Sequence, residues 1–157
     1  MSKEGRLHDD IDAIDRRIMQ ALREDGRMPI SELSQRVGLS KSPCQTRLKR
    51  LVERGVIRGF HASIDPVALG LDYVAFTEVK LSDTREAALD AFRQAVLQIA
   101  EVEECHMLAA SFDYLLKVRT SDIRRYRAVL GEKISSLPHV ASTSTFVVME
   151  TLRDAQG

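Results

Sequence analysis

Residues 40–51, SKSPCQTRLKRL, hold side chains whose types and spacing could serve recognition chemistry. A helix turns about 100° per residue, so one side of a helix through this segment would present hydroxyl, amide and cationic groups together. Such groups hydrogen-bond to the edges of DNA bases or pair with backbone phosphates. The residues concerned are Lys41, Ser42, Gln45, Thr46, Arg47, Lys49 and Arg50.

The opposite side of the same helix is apolar. Cys44, Leu48 and Leu51 follow one another at i, i+4 and i+7, which indicates a buried stripe with the cysteine acting as a small hydrophobe. Pro43 falls in the first turn, where its missing N–H has no intrahelical partner to lose. We therefore expect a helix that begins at Lys41.

Two shorter helices are predicted before it, and they must position it. The first has Asp12 as its N-cap and Gly26 at its end. The second is barely two turns long, with Ser31 as its N-cap and Gly38 as a left-handed C-cap, after which Ser40 caps the third helix. Their apolar stripes are Ile14, Ile18, Ala21 and Leu22 in the first helix and Leu33 and Val37 in the second.

Three capped helices with a glycine at the tight turn predict a helix-turn-helix, whose second helix inserts its N-terminal end into the major groove of DNA. We assign base contacts to Ser42, Gln45 and Thr46, and phosphate contacts to Lys49 and Arg50. A basic helix face is often only a solvated surface, but here the motif and the charge agree.

The charge excess continues past the helix. Six basic residues against one acidic residue lie between Lys41 and Arg58. After Gly55, VIRGFHASID alternates apolar and polar residues and predicts a strand or wing, in which Arg58 contacts a phosphate. The first domain is thus expected to be a winged helix-turn-helix.

The overall composition excludes several classes of protein. The 157 residues include 23 Lys and Arg and 23 Asp and Glu, which excludes a uniformly basic nucleic-acid coat. Up to Asp65 there are 13 basic and 10 acidic residues, and beyond it 10 basic and 13 acidic. Two cysteines are too few for a disulfide framework. With no apolar run near ~18 residues and no signal peptide in MSKEGRLHDD, we expect a soluble cytoplasmic protein without a membrane partner.

A hinge is predicted where the charge balance changes. PVALGLD, residues 66–72, carries a proline and a glycine between the two charge regimes. We therefore expect a DNA-binding domain in residues 1–65, a hinge linker in residues 66–72 and a second domain in residues 73–157.

The second domain has the element order β-α-β-β-α-β. Its strands are predicted in YVAFTEVKL, VEECHMLAA, DYLLKVRT and STFVVMETL. Its first helix, in TREAALDAFRQAVLQIA, buries Leu89, Phe92, Val96 and Ile99. Its second helix begins after a cap at Ser121 or Asp122. One side of that helix carries Ile123, Tyr126 or Arg127, Leu130 and Ile134. This order predicts an α+β, ferredoxin-like layer with two helices on one face of an antiparallel sheet.

The apolar side chains on the other face of that sheet need a packing partner to bury them. Apolar side chains occur on both alternations of the last strand, with Val147 and Met149 beside Thr145 on one and Phe146 and Val148 on the other. We infer that the sheet of a second subunit packs there. A homodimer also suits DNA recognition, since two heads then read two half-sites.

The sequence gives little indication of metal binding or catalysis. EECH, residues 103–106, offers two carboxylates, a thiol and an imidazole, but Cys105 and His106 would point to opposite faces of a strand and could not easily hold one metal ion. No nucleophile elbow, P-loop or dinucleotide fingerprint is present in the sequence. We expect neither an enzyme nor a metal or other cofactor.

The sequence resembles the Lrp/AsnC, or leucine-responsive and feast/famine, family of transcription regulators from Ile11 to about Leu152. IDAIDRRIMQALREDGRMPISELSQRVGLSKSPCQTRLKRLVERGVIRGF is similar to the family's DNA-binding head. FDYLLKV resembles the segment beside its effector loop, and STSTFVVME its last strand. The resemblance implies an ACT-like RAM domain, homodimers that assemble into octamers or similar rings, and an amino-acid effector bound between dimers.

Carried over residue by residue, the resemblance places the effector near the loop and the last strand. Asp113 would pair with the α-ammonium, while hydroxyls and backbone N–H groups take the α-carboxylate. The implied residues are Met107, Leu108, Ala110, Asp113, Thr143, Thr145, Phe146 and Val147.

One difference from the family's loop sequence leaves the identity of the effector open. The family loop normally has a glycine before DY, where this chain has AASFDY with Ala110 and Ser111. A β-carbon there would change ligand selectivity or remove the response, and we expect sensing to persist with altered selectivity. Because ECHMLAASFDYLLK is similar to the corresponding segment of the subgroup that activates proline dehydrogenase genes, proline is a candidate effector alongside leucine.

Two alternative functions for the whole protein stay open. One is an architectural DNA-binding protein whose second domain only oligomerises. The other is a regulatory subunit of a metabolic enzyme, which would not need the basic helix.

Overall fold

The computed structural model describes residues 10–152. They form two compact units, one ending at Ala62 and the other beginning at Ser63. The predicted hinge, residues 66–72, follows this division and contains a 3-10 turn, Val67–Leu69, closed by Gly70 with φ 71°. The outer limits of the two predicted domains, at residues 1 and 157, lie outside the described residues.

The regular structure described in the first unit is helical: α1 Ala13–Glu24, α2 Ile30–Val37 and α3 Lys41–Glu53. Asp12 caps α1, as predicted. Its side chain accepts the N–H of Asp15 at 2.8 Å, and the Asp15 carboxylate accepts the N–H of Asp12 at 3.3 Å. This reciprocal capping box satisfies backbone donors that the helix itself cannot pair.

Two predicted helix ends are wrong, one by a single residue and the other by two residues. The C-cap of α1 is Asp25 and not Gly26. Ser31 does not cap α2, because the helix already begins at Ile30, after Pro29. The proline ring fixes φ at −61°, and its carbonyl accepts the N–H of Leu33 at 2.9 Å, so the backbone starts the helix without a side-chain cap.

The turn between α2 and α3 follows the prediction. Gly38 adopts the left-handed conformation, with φ 75° and ψ 37°, where a β-carbon would be strained. Ser40 occupies the N-cap position of α3, although its side chain makes no capping hydrogen bond. The helices therefore follow one another as a helix-turn-helix.

The three helices share one core. Ile18 of α1, Leu33 of α2, and Cys44 and Leu51 of α3 are fully enclosed in it. This confirms the predicted inward face of α3. Burial raises the pKa of the Cys44 thiol.

The segment after α3 is not the predicted strand. Residues 56–65 pair with none of the strands in the described part of the chain. A strand needs a partner with which to exchange backbone hydrogen bonds, and the regular structure described in this unit is helical. The side chains of Phe60 and Ile64 are 50% and 64% exposed.

The second unit has the predicted βαββαβ order. It contains β1 Tyr73–Leu81, α4 Glu86–Val96, β2 Val102–Met107, β3 Tyr114–Thr120, α5 Ile123–Val129 and β4 Val140–Val147. The strands form one antiparallel sheet in the order β2-β3-β1-β4. Asp122, one of the two predicted caps, accepts the N–H of Arg125 at 2.8 Å, and α5 continues as a π-helical segment, Leu130–Ile134.

The last strand lies earlier in the chain than predicted. β4 covers VASTSTFV and ends at Val147, whereas the prediction ran from Ser144 to Leu152. Among the described strands it pairs with β1, where Ala75 faces Val147. Continued by two residues, this register reaches Tyr73, the first residue of β1, at Met149, so residues 150–152 have no residue of a described strand opposite them.

Alternate residues of the sheet face opposite sides. The helices cover the side that carries Val79, Leu116 and Val118, all fully buried. Leu89, Phe92, Val96 and Ile99 of the predicted stripe are buried against it, as are Tyr126 and Ile134. Ile123, by contrast, is 54% exposed at the start of α5, so its predicted burial is wrong.

The opposite side, here called the bare face, has neither of the described helices of the second unit over it. Its central positions are Phe76, Leu115 and Phe146, and Phe76 and Phe146 face each other across β1 and β4. Phe146 is 54% exposed. A pair of aromatic side chains in the middle of an uncovered sheet is a surface that a partner would desolvate.

Candidate DNA-binding and effector-binding sites

The N-terminal half of α3 presents the predicted recognition side chains to solvent. Ser42, Gln45 and Thr46 are exposed, as is Lys41 in the first helical position. The Thr46 hydroxyl donates to the Ser42 carbonyl at 3.1 Å. The Lys49 side chain is 74% exposed and lies 3.6 Å from the Glu53 carboxylate, an exposed pair that holds it weakly.

Arg47 and Arg50 face the helical bundle instead. One nitrogen of Arg47 donates to Asp12 at 2.6 Å and to Asp15 at 3.0 Å, and Arg50 donates to the other Asp15 oxygen at 2.7 Å. Asp15 is fully buried. We call these four residues the carboxylate clamp; it joins the start of α1 to the middle of α3.

The clamp changes the role expected of Arg50. A buried carboxylate is stable only with charged or hydrogen-bonding partners, and the two guanidinium groups supply them. The N–H of Asp15 and the guanidinium of Arg47 lower the pKa of Asp12 below its usual value. Sequence reasoning missed Asp15; the available signal was a carboxylate between Ile14 and Ile18, on the buried side of α1.

Arg58 lies in the extended segment after α3 and is exposed. It lines an open groove of about 790 Å³ between that segment and α1. The groove also contacts Met19, Leu22, Phe60 and His61. Arg58 therefore remains available to a phosphate.

Asp113, predicted to pair with an α-ammonium, is occupied within the chain. Its carboxylate accepts the N–H of Leu81 at 2.8 Å and lies 3.4 Å from the Lys80 ammonium. Its backbone N–H donates to Val79, and its carbonyl accepts the N–H of Leu108. These bonds fasten the loop between β2 and β3 to the end of β1.

The other implied effector residues do not converge on one surface. Thr143, Thr145 and Val147 alternate with Phe146 along β4, so they face the helices while Phe146 lies on the bare face. The Thr145 hydroxyl lies 2.6 Å from the Tyr126 hydroxyl, which lies 2.9 Å from that of Thr77. Met107 and Leu108 are 54% and 39% exposed, and Ala110 is exposed in the loop.

A pocket of about 160 Å³ lies where this loop meets the bare face. Its lining is mostly polar: Glu78 and Lys80 of β1, Ser111 and Phe112 of the loop, and Ser142, Thr143 and Ser144 of β4. Sequence reasoning missed Glu78 and Lys80. Their signal was the placement of two opposite charges on one alternation of YVAFTEVKL.

Two negative findings apply to residues 10–152. No three His, Cys, Asp or Glu side chains in this range gather where they could hold a metal ion. None of the helices described here is both long and apolar enough to cross a bilayer.

Comparison with known families accounts for both units. Residues 11–58 match the winged helix-turn-helix DNA-binding family, and residues 74–157 match the Lrp/AsnC ligand binding domain. The match to the second family covers more than half of the chain.

Relatives and solved structures agree over nearly the full length. The chain is 66% identical to the proline dehydrogenase transcriptional activator of Rhizobium radiobacter, covering 93% of this chain and 94% of the relative. It is 42% identical to the leucine-responsive regulatory protein of Escherichia coli, covering 93% and 89%. The crystal structure of a transcriptional regulator from Neisseria meningitidis in complex with L-Met superposes with a TM-score of 0.85 at 31% identity, covering 91% of this chain and 92% of that one.

These names describe transcription regulators and not enzymes. The helix-turn-helix, the βαββαβ sheet and both family matches lead to the same assignment. This chain belongs to the Lrp/AsnC family of DNA-binding transcription regulators.

Proposed function

We propose that this regulator reads operator bases with Ser42, Gln45 and Thr46 and holds phosphates with Lys41, Lys49 and Arg58. The observation that carries the proposal is the division of α3 into two sides. Its short polar groups and Lys49 are exposed, whereas Arg47 and Arg50 bind Asp12 and Asp15. Arg47 and Arg50, which the sequence grouped with the DNA contacts, would then orient the helix.

Three variants separate these roles on sites selected from random duplex DNA. Lys49→Ala should weaken binding to all sequences alike and reduce the slope of log affinity against log salt by about one. Gln45→Ala should cost about 1–3 kcal/mol at the preferred site and little on random DNA. Arg50→Met should lower stability while leaving the salt slope unchanged, because its charge is already paired.

Arg124→Ala, on α5 of the second unit, is the control for the loss of an exposed cation. Equal losses on selected and random DNA for both Gln45→Ala and Lys49→Ala would refute the division. A reduced salt slope for Arg50→Met would indicate that Arg50 contacts a phosphate after all.

We further propose that the protein acts in the cytoplasm as a homodimer, joined through the bare face and assembling into an octamer or similar ring. The exposed Phe146 and the unpaired extended segment with Phe60 and Ile64 support this. Two heads in one dimer could then read two half-sites.

The effector proposal concerns amino-acid metabolism. A relative with 66% identity is named a proline dehydrogenase transcriptional activator, and a structural neighbour is an L-Met complex. We propose that this protein regulates genes of amino-acid breakdown in response to an amino acid bound at the oligomer interface, with proline and leucine as candidates.

Three measurements test the effector proposal, each made with the twenty amino acids. Calorimetry records binding, titration with operator DNA records the change in affinity, and light scattering records the mass of the assembly. Binding accompanied by a change in operator affinity or in mass is the expected result. Binding heat from none of them would favour the second candidate, an architectural protein whose second unit only assembles. The occupation of Asp113 by Leu81 and Lys80 is the observation in favour of that candidate.

A further inference from the structure

Tyr114, the first residue of β3, carries a buried hydroxyl without a hydrogen-bond partner. The residue is 3% exposed, and its ring packs against that of Phe92, with the ring centroids 4.5 Å apart. Among the residues that the structure describes, none forms a hydrogen bond with the Tyr114 hydroxyl. A buried hydroxyl that has lost water without gaining a partner is unfavourable, so this position is suited to a polar atom brought next to it.

A cation lies beside this hydroxyl. Arg93 follows Phe92 on α4, and one nitrogen of its guanidinium binds Glu86 at 2.9 Å and Asp90 at 2.8 Å. These two carboxylates, and after them the Tyr114 hydroxyl, raise the pKa of Arg93. The hydroxyl is therefore close to the guanidinium, although the two groups are not in hydrogen-bonding geometry.

The sulfur of Met107 is the third member of this cluster. Met107 ends β2 and lies directly opposite Tyr114 in the ladder, so both side chains leave the same face of the sheet. The other terminal nitrogen of Arg93 donates to the Met107 Sδ at 4.0 Å, a weak bond because a thioether is a poor acceptor. Met107 is 54% exposed, so a small oxidant can reach it.

We propose that Met107 is a site of oxidation by hydrogen peroxide, at which Arg93 assists the reaction and the Tyr114 hydroxyl binds the product. A lone pair of Sδ attacks one peroxide oxygen, and the S–O bond forms as the O–O bond breaks. The second oxygen leaves as hydroxide and takes the proton of the transferred oxygen, which gives water. The sulfur is oxidised to the sulfoxide by two electrons, which the peroxide gains.

The guanidinium is placed to favour both the step and its product. Negative charge develops on the leaving oxygen, and a neighbouring cation stabilises it. The sulfoxide oxygen is a polar acceptor, unlike the thioether sulfur, and it can accept from Arg93 and from Tyr114. Oxidation would thus connect α4 to the end of β2, next to Leu108, whose N–H donates to the Asp113 carbonyl.

The test treats the full chain with dilute hydrogen peroxide and follows the sulfoxide at each methionine by mass spectrometry. Met149 is the internal reference, because it is 97% exposed and forms no hydrogen bond with another of residues 10–152. Arg93→Gln removes the cation. Arg124→Gln, which removes an exposed cation from α5, is the matched control.

We expect the ratio of the Met107 rate to the Met149 rate to fall about two- to fivefold in Arg93→Gln, the range for one partly exposed charge. The ratio in Arg124→Gln should equal that of the wild type. An unchanged ratio in Arg93→Gln would overturn the proposal. So would a wild-type protein whose Met107 stays reduced after Met149 is fully oxidised.

Tyr114→Phe tests how the product is bound. The sulfoxide at Met107 should raise the thermal midpoint of the wild type by about 2–4 °C more than that of Tyr114→Phe, which lacks the hydroxyl donor. Peroxide-treated Met107→Leu gives the contribution of the other methionines, which is subtracted. An equal change of midpoint in the wild type and in Tyr114→Phe would overturn the role of the hydroxyl.

Discussion

Asp15→Asn is expected to destabilise the first unit by about 3 kcal/mol and to abolish specific operator binding. The substitution keeps the shape of the side chain but removes the buried charge that holds Arg47 and Arg50. Breaking one side of a buried ion pair typically costs about 3–5 kcal/mol, and the lower value applies because both arginines reach water. Without the clamp, α3 loses the ionic connection that orients it against α1.

Denaturant unfolding and operator titration measure the two effects. The matched control is Asp10→Asn, since Asp10 binds Arg54 at 2.8 Å but its side chain is 69% exposed. That exposed pair should contribute little to stability. If both variants unfold at the same denaturant concentration, the clamp is not the structural element described here.

Phe146→Asp is expected to halve the mass of the smallest assembly and to weaken operator binding by a factor of about 10²–10⁴. A charge in the centre of the bare face, opposite Phe76, would have to be desolvated when a second sheet packs on it. A monomer then binds one half-site at a time and loses the gain of a linked second head.

Light-scattering mass and operator affinity, measured on the same samples, test this expectation. Leu97→Asp is the control, because Leu97 is 76% exposed but lies at the end of α4, on the helical side of the sheet. Dissociation by Leu97→Asp and not by Phe146→Asp would place the protomer contact on the helices.

Local patterns explain why much of the fold was predictable. The strand pattern of YVAFTEVKL coincides with both ends of β1, and Asp12 marks the start of α1 through its own capping chemistry. The end of β4 was not predictable in this way. It depends on where β1 stops offering hydrogen bonds, which is a property of the pairing and not of the apolar residues in STFVVMETL.

The candidate sites show the same limit. Side-chain types on α3 indicated DNA contact, but they could not show that Arg50 turns towards a carboxylate 35 residues away in the chain. Likewise the Asp113 carboxylate binds a backbone N–H 32 residues away, which only the folded sheet brings near. Residues that act through distant partners have no local signature, whereas exposed recognition groups do.

The enclosed position of Cys44 has a consequence for cellular oxidants. Thiols react with peroxides and alkylating agents as thiolates, and a buried thiol with a raised pKa is rarely in that form. The only sulfur atom of α3 is therefore shielded both by packing and by its protonation. Oxidative stress that modifies surface cysteines should leave α3 chemically intact.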